Sequence, residues 1–170
     1  VLLDDVATQG IMEDGFVGAF NYEGEWIWAH RISGNLDQSS DSLLTHSDGS
    51  VWVGGESAEN AQIGDDENLT STQDGYLLRI LPNGDVDWMS EVPGTVKGIL
   101  ERPSDSSIFL TGTFTATKTF GSTSLSAHGS RDIFISEYIH PDGFSGLHQV
   151  GGMDVDEITS IVFDMREHLV

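Results

Sequence analysis

The stretch at residues 74–88 recurs on both sides of itself, and that recurrence constrains the fold more than any other feature of the chain. Residues 76–81 are an apolar run carrying one arginine, Pro82-Asn83-Gly84 is a hairpin signal, and Val86 and Trp88 resume an alternation of period two. Earlier, Asp14-Gly15-Phe16-Val17 is followed by Gly24, Trp26 and Trp28. Later, Asp132-Ile133-Phe134-Ile135 is followed by Asp142-Gly143 and Leu147. The phase returns every 57 to 60 residues, with four short apolar segments per period and no helical patterning. Such a period predicts an all-β fold of four-stranded antiparallel units, none of which can bury both faces alone, arranged as a β-propeller-like array.

The phase divides the chain into a half blade at 1–34, whole blades at 35–94 and 95–152, and a partial blade at 153–170, about three blade equivalents in one segment. In the half blade, strands are predicted at 16–20 and 25–31 around a turn at 21–24. Residues 35–41 read as a polar loop. Strands at 43–46 and 51–54 then flank Asp48-Gly49, which is expected to supply the positive φ angles of a short hairpin. Residues 56–73 form a long polar connection with room for a small hairpin at Ile63. The third unit repeats the order at 99–100, 108–112, 134–139 and 147–150, with Thr119-Phe120-Gly121-Ser122 in the phase of Ile63-Gly64. A fourth opens with a strand at 158–164. Phe16, Tyr76 and Phe134 share one phase and Trp28 and Trp88 another, so each set is expected to be buried between units.

Charge narrows the function classes. The chain has 28 acidic against 7 basic residues, a net charge of −21, and the basic residues are scattered singly along it. A nucleic acid or an anionic membrane surface would be repelled by such a chain, so neither is expected as a partner. The self-repulsion is relieved by salt, which points to a saline, extracellular or cell-surface setting. No apolar run approaches a membrane span, no signal segment opens the chain, and no membrane insertion is expected. The absence of cysteine removes disulfides and thiolate chemistry. The 20 glycines and 4 prolines suit many tight turns between short strands.

Particular motifs then resemble a family. Asp-Gly-Ser-Val-Trp-Val-Gly-Gly at 48–55, Phe-Leu-Thr-Gly-Thr-Phe at 109–114, Thr-Phe-Gly-Ser at 119–122, Asp-Ile-Phe-Ile at 132–135, and a turn glycine followed by Trp28 or Trp88 are similar to the β-propeller repeats of secreted bacterial and archaeal proteins, often called SBBP repeats. The resemblance covers nearly the whole chain and departs from the pattern where Leu147 replaces the tryptophan. It implies a propeller fold and a secreted or surface location. Its motifs are structural and assign no activity.

The residues that could carry chemistry are few in kind. Trp26, Trp28, Trp52 and Trp88 suit sugar or cofactor stacking, yet tryptophans at one repeat phase are the usual inter-blade core, and no cofactor is expected. Asp4-Asp5, Asp65-Asp66-Glu67 and Asp154-Val155-Asp156-Glu157 lack the spacing of a calcium loop, so no metal is expected. His30, His46, His128, His140, His148 and His168 show no metal-ligand spacing and read as turn or surface residues. Neither a nucleophile elbow nor a phosphate loop is present. Asn68-Leu69-Thr70 is formally a glycosylation acceptor. The chain is thus expected to be a non-enzymatic extracellular scaffold or interaction module for a protein or glycan partner, with no assigned catalytic residue, and with loops 56–73 and 113–130 facing that partner. The alternative is a carbohydrate-active or other hydrolase built on two converging carboxylates. About three blades leave apolar faces at both ends, so the chain is expected to be an arc of a larger surface protein or, if stable alone, a homodimer or other closed oligomer.

Overall fold

The computed structural model describes residues 13–58, 61–63, 67–68 and 74–170. The described residues form strands and no helix. A first sheet contains β1 (Gly15–Phe20), β2 (Trp26–Ser33), β5 (Gln62–Ile63) and β6 (Glu67–Asn68), in the order β1-β2-β5-β6. A second contains β3 (Gln38–Thr45), β4 (Val51–Ser57), β7 (Asp74–Ile80) and β8 (Val86–Val92), in chain order. A third repeats this with β9 (Thr95–Glu101), β10 (Ile108–Phe114), β13 (Asp132–Ile139) and β14 (Gly143–Val150). A separate hairpin, β11 (Thr117–Phe120) and β12 (Thr123–Ser126), stands between β10 and β13. All pairings between named strands are antiparallel. The predicted units at 35–94 and 95–152 therefore each hold one four-stranded antiparallel sheet.

Local sequence explains the tight turns. In three of them one hydrogen-bond pattern recurs: Asn21 N–H donates to Glu25 O, His46 N–H to Ser50 O and Leu81 N–H to Asp85 O, at 2.8–2.9 Å. The glycine at the fourth position takes φ near +83° to +92° in each. Asp48 does not share the positive φ expected of it. Glycine alone enters that region, as in a hairpin loop longer than two residues.

Alternation along β7 gives the second sheet two apolar faces. Tyr76, Leu78 and Ile80 join Val53 in a core with Val17, Ile32, Ala61 and Ile63 of the first layer, whereas Leu77 and Trp52 face the third sheet with Val96, Leu110, Phe134 and Tyr138. The middle sheet is thus covered on both sides. Tyr76 and Phe134 are fully buried at the same phase, but Phe16 is 44% exposed. It points away from the second sheet, and no described sheet lies over it. Its ring and that of Phe20 instead meet Trp26 edge to face at 5.6 and 5.9 Å. Trp28 and Trp88 lie between sheets as expected, but half-buried. Trp28 packs over Gly84 of the second sheet, and Trp88 stacks on His140 of the third at 4.2 Å.

Two further expectations are corrected. Residues 35–41 read as loop in the sequence, yet β3 begins at Gln38. The strand is polar because its groups are satisfied inside: Tyr76 Oη donates to Ser39 O (2.9 Å) and accepts from Ser40 Oγ (2.8 Å). Burial pushes the Tyr76 phenol up to about 12, so it stays a donor. The predicted strand at 158–164 is instead irregular. Without a neighbouring ladder, the tail makes single bridges, Arg131↔Val155 and Phe163↔Leu169, and lays Phe163 edge-on against Phe109 at 5.4 Å.

Candidate functional site

Each whole unit carries a bulge in its first strand. Asp41 is the extra residue of β3 opposite Gly54 and Gly55, and Lys97 the extra residue of β9 opposite Thr111 and Gly112. A bulge re-aims its side chain out of the ladder. Here it sets Lys97 Nζ 2.9 Å from Asp41 Oδ2 across the two sheets. Glycine permits the approach: a Cβ on Gly55 would overlap the Ser39 carbonyl, and one on Gly112 the Thr95 carbonyl.

The bulges border a row of clefts at one end of the sheets. Between the second and third sheets, a cavity of about 140 Å³ is walled by the end of β4 (Glu56), the start of β7 (Asp74), the start of β9 (Thr95, Lys97), the end of β10 (Thr113, then Thr115) and Arg131 just before β13. Lys97, Thr113 and Arg131 also wall an adjoining cavity of about 130 Å³ with Glu157 and Ile158. The two form one trough. Its charges are partly paired: Lys118 binds Asp74, and Arg131 Nη1 lies 2.9 Å from Glu157 Oε1. Lys97 and Arg131 thus line one trough, with Lys118 beside it on Asp74, although the sequence scatters them singly. Between the first and second sheets the corresponding cleft, about 480 Å³, is walled by Glu13, Leu36, Asp37, Gln38, Ser39, Glu56 and Ala58. Its described lining residues carry three carboxylates and no cation.

Asp14, Asp74 and Asp132 stand at one phase beside these clefts, and each has a different partner. Arg31 reaches Asp14 at 2.7 and 3.0 Å, and Lys118 holds Asp74. Fully buried Asp132 accepts from Gln149 Nε2 (2.7 Å) and pairs with His128 Nδ1 (2.8 Å). The Gln149 hydrogen bond, reinforced by His128 against the opposing effect of burial, pulls the Asp132 carboxyl down to about 2.

At the opposite ends of the strands, hairpin tips bind one another. Half-buried His46 lies 2.9 Å from Asp48 through Nδ1, while its Nε2 meets Ser106 O at 3.3 Å. Burial pulls the His46 pKa down, but the hydrogen bonds to Asp48 and Ser106 and the charge of Glu101 outweigh it and raise it. Hydrogen bonds from Ser50, with help from His46 and Arg79, hold Asp48 well below the usual carboxylate range despite its partial desolvation. Ser104 Oγ extends the chain of contacts to Glu167 at 2.6 Å. This end is a structural brace.

The candidates from sequence fall in separate places. Trp52 is core, Trp28 and Trp88 are inter-sheet, and Trp26 lies on the outer face of the first sheet. His30 meets Gly84 O at 2.7 Å, His140 stacks on Trp88, His168 pairs with Asp164 and His148 is exposed. Of the acidic runs, Asp4, Asp5, Asp65 and Asp66 lie outside the described residues, as do Leu69 and Thr70 of the acceptor motif; Glu67 and Asn68 are described as the backbone of β6. Asp156 accepts from Gly152 N–H and Glu157 from Arg131, so that run serves the tail and the trough separately. Among the described residues, no group of three His, Asp or Glu side chains is placed to hold a metal ion. Sequence reasoning missed Lys97, Arg131 and Asp74. The aspartate was visible as the first residue of each repeated strand, whereas nothing in the sequence joins the two cations.

The trough is rich in donors. Lys97 and Arg131 each spend one N–H on a carboxylate and keep the rest, and the hydroxyls of Thr95, Thr113 and Thr115 have no hydrogen-bond partner among the described residues. Such a surface can bind; with Asp74 held by Lys118, it is poorly arranged to move protons. No known family model matches this chain, and no curated protein matches it in sequence.

Proposed function

We propose that the chain is a β-propeller segment acting as a non-enzymatic extracellular scaffold or interaction module. The observation that carries this reading is the pairing of the aspartates beside the clefts: Asp14 with Arg31, Asp74 with Lys118, and Asp132 with His128 and Gln149. Among the described residues, the carboxyls displaced from their ordinary pKa, at Asp48, Glu101, Asp105, Asp132 and Asp164, are all displaced downward by donors around them. A hydrolytic pair needs one carboxyl held protonated, hence displaced upward. In the trough, Asp74 is tied to Lys118 and Glu157 to Arg131.

The propeller arrangement is supported by the contact of successive first strands, β3 and β9, and by equivalent faces of successive sheets entering successive cores. The net charge of −21 supports a saline exterior. Exposed Phe16, Phe20 and Ile27 on the outer face of the first sheet support self-association into a closed oligomer, which light scattering at micromolar concentration would report as a mass above one chain. The enzymatic alternative is tested by incubation with a panel of glycans and generic ester and glycoside substrates. The module reading expects binding without turnover. Turnover abolished by Glu56→Gln or Asp74→Asn would overturn it.

A further inference from the structure

The trough between the second and third sheets combines two features that one ligand class satisfies together. Lys97 and Arg131 offer unspent N–H groups to a shared cavity, and the Thr113 hydroxyl lies between the two cavities they wall. At the other side stands Glu56, whose carboxylate has no hydrogen-bond or ion-pair partner among the described residues. A cationic side alone would take any small anion. A free carboxylate opposite it repels simple anions and accepts hydrogen bonds from hydroxyls. We propose that this trough binds a polyhydroxylated carboxylate of the uronic acid class, its carboxylate on Lys97 and Arg131 and its hydroxyls on Glu56 and the threonines.

The electrostatics favour this class over a neutral sugar. In a chain of charge −21 an anionic ligand is repelled except where cations are concentrated, and two of the seven line this trough while Lys118 offsets Asp74 at its wall. Asp41 holds Lys97 from outside the cavity lining and Glu157 holds Arg131 from the wall of the adjoining cavity, so the cations are oriented before any ligand arrives. Orientation in advance reduces the entropy lost on binding. The cavities, about 140 and 130 Å³, have room for one sugar-sized end group rather than a buried chain. The corresponding cleft between the first and second sheets, which Glu56 also borders, adds Asp37 and Glu13 and has no cation among its described lining residues, so it should reject the same ligand.

This inference rests on the module reading, and one titration separates the two. Galacturonate is added to ¹⁵N-labelled protein at fixed ionic strength, with galactose and acetate as comparison ligands and digalacturonate alongside to report cleavage. Galacturonate should give saturable shifts at Thr95, Thr113 and Thr115 and bind at least about tenfold tighter than either comparison ligand. Lys97→Gln and Arg131→Gln should each weaken it about tenfold, and Glu56→Gln should erase the preference over acetate. Arg166→Gln, away from the trough, should change nothing. Absence of saturation by about 20 mM, or equal weakening by Arg166→Gln and Arg131→Gln, would overturn the site. Cleavage of digalacturonate would overturn the module reading and leave the site standing.

Discussion

The two inter-sheet layers come from the same stretch of the repeat, yet they are built differently. In the first, the hairpin between the second and third strands of a unit adds to its neighbour: β5 pairs with β2 through Ile32↔Ile63, and Ile63 is buried. In the second, the equivalent hairpin β11-β12 pairs only with itself and anchors by inserting Phe120 among Phe114, Phe134 and Phe144, at centroid distances of 4.9–5.9 Å. The first layer gains ladder hydrogen bonds, and the second gains aromatic core. Their clefts differ likewise: the charged groups described along the first are all carboxylates, whereas the second sets Lys97 and Arg131 among its carboxylates and threonines. A repeat thus conserves sheet geometry while single residues, such as Asp41 against Lys97 at the bulge, reset the chemistry between sheets.

The largest effect should come from substituting residues of one phase in different surroundings. Phe134→Ala removes a fully buried ring and should cost about 3–5 kcal/mol in urea unfolding. Phe16→Ala, at the same phase but 44% exposed, should cost less than about 1 kcal/mol. Equal losses would mean that Phe16 is covered.

Close approach of the bulged strands comes next. Gly55→Ala and Gly112→Ala each place a methyl against a carbonyl of the preceding strand, and each should cost about 2–3 kcal/mol. A change under about 0.5 kcal/mol at either site would show that the bulge is not so tight there.

A smaller contrast separates the inter-sheet tryptophans. Trp88 meets Trp52, Tyr138 and His140, whereas Trp28 meets His30 and the Gly84 turn. Trp88→Ala should cost about 2–3 kcal/mol and Trp28→Ala about 1 kcal/mol less. The reverse order would make the first layer the stronger one.

The smallest effect concerns pH. The folded carboxyl of Asp132 is lowered to about 2, so its contribution is complete above about pH 4 and is lost as pH falls through 2. His46 is raised, so its contribution is complete below about pH 6.5 and fades as pH rises through its folded value. Melting temperature should therefore drop from pH 4 to 2, and Asp132→Asn should flatten part of that drop. An unchanged slope in the variant would assign the acid sensitivity to Asp48 and its neighbours.

Much of this architecture was legible because the repeat fixes strand phase. The glycine turns at 24, 49 and 84, the alternation in β7 and the Asp that opens β1's approach, β7 and β13 are all visible as period and punctuation. The start of β3 was not, since Gln38, Ser39 and Ser40 are polar and become strand only because Tyr76 supplies hydrogen bonds from another part of the chain. The exposure of Phe16 is illegible for a related reason: phase tells which way a side chain points, not whether another sheet lies there. The trough was least legible, because Lys97 and Arg131 lie 34 positions apart and meet through the register of β9, β10 and β13.

The central claim is that the four-stranded sheets pack face on face in repeat order, and the cysteine-free chain allows a direct test by cross-linking. A Cβ built on Gly54 lies 2.9 Å from the Cβ of Val96 in the facing sheet, within about 1 Å of the separation a disulfide requires. Gly54→Cys combined with Val96→Cys should oxidise under native conditions to an intramolecular disulfide, seen as a two-hydrogen mass loss in the single-chain species. Two free thiols that react readily with a maleimide in the folded protein, or a bond formed only between chains, would contradict the packing of the second sheet on the third.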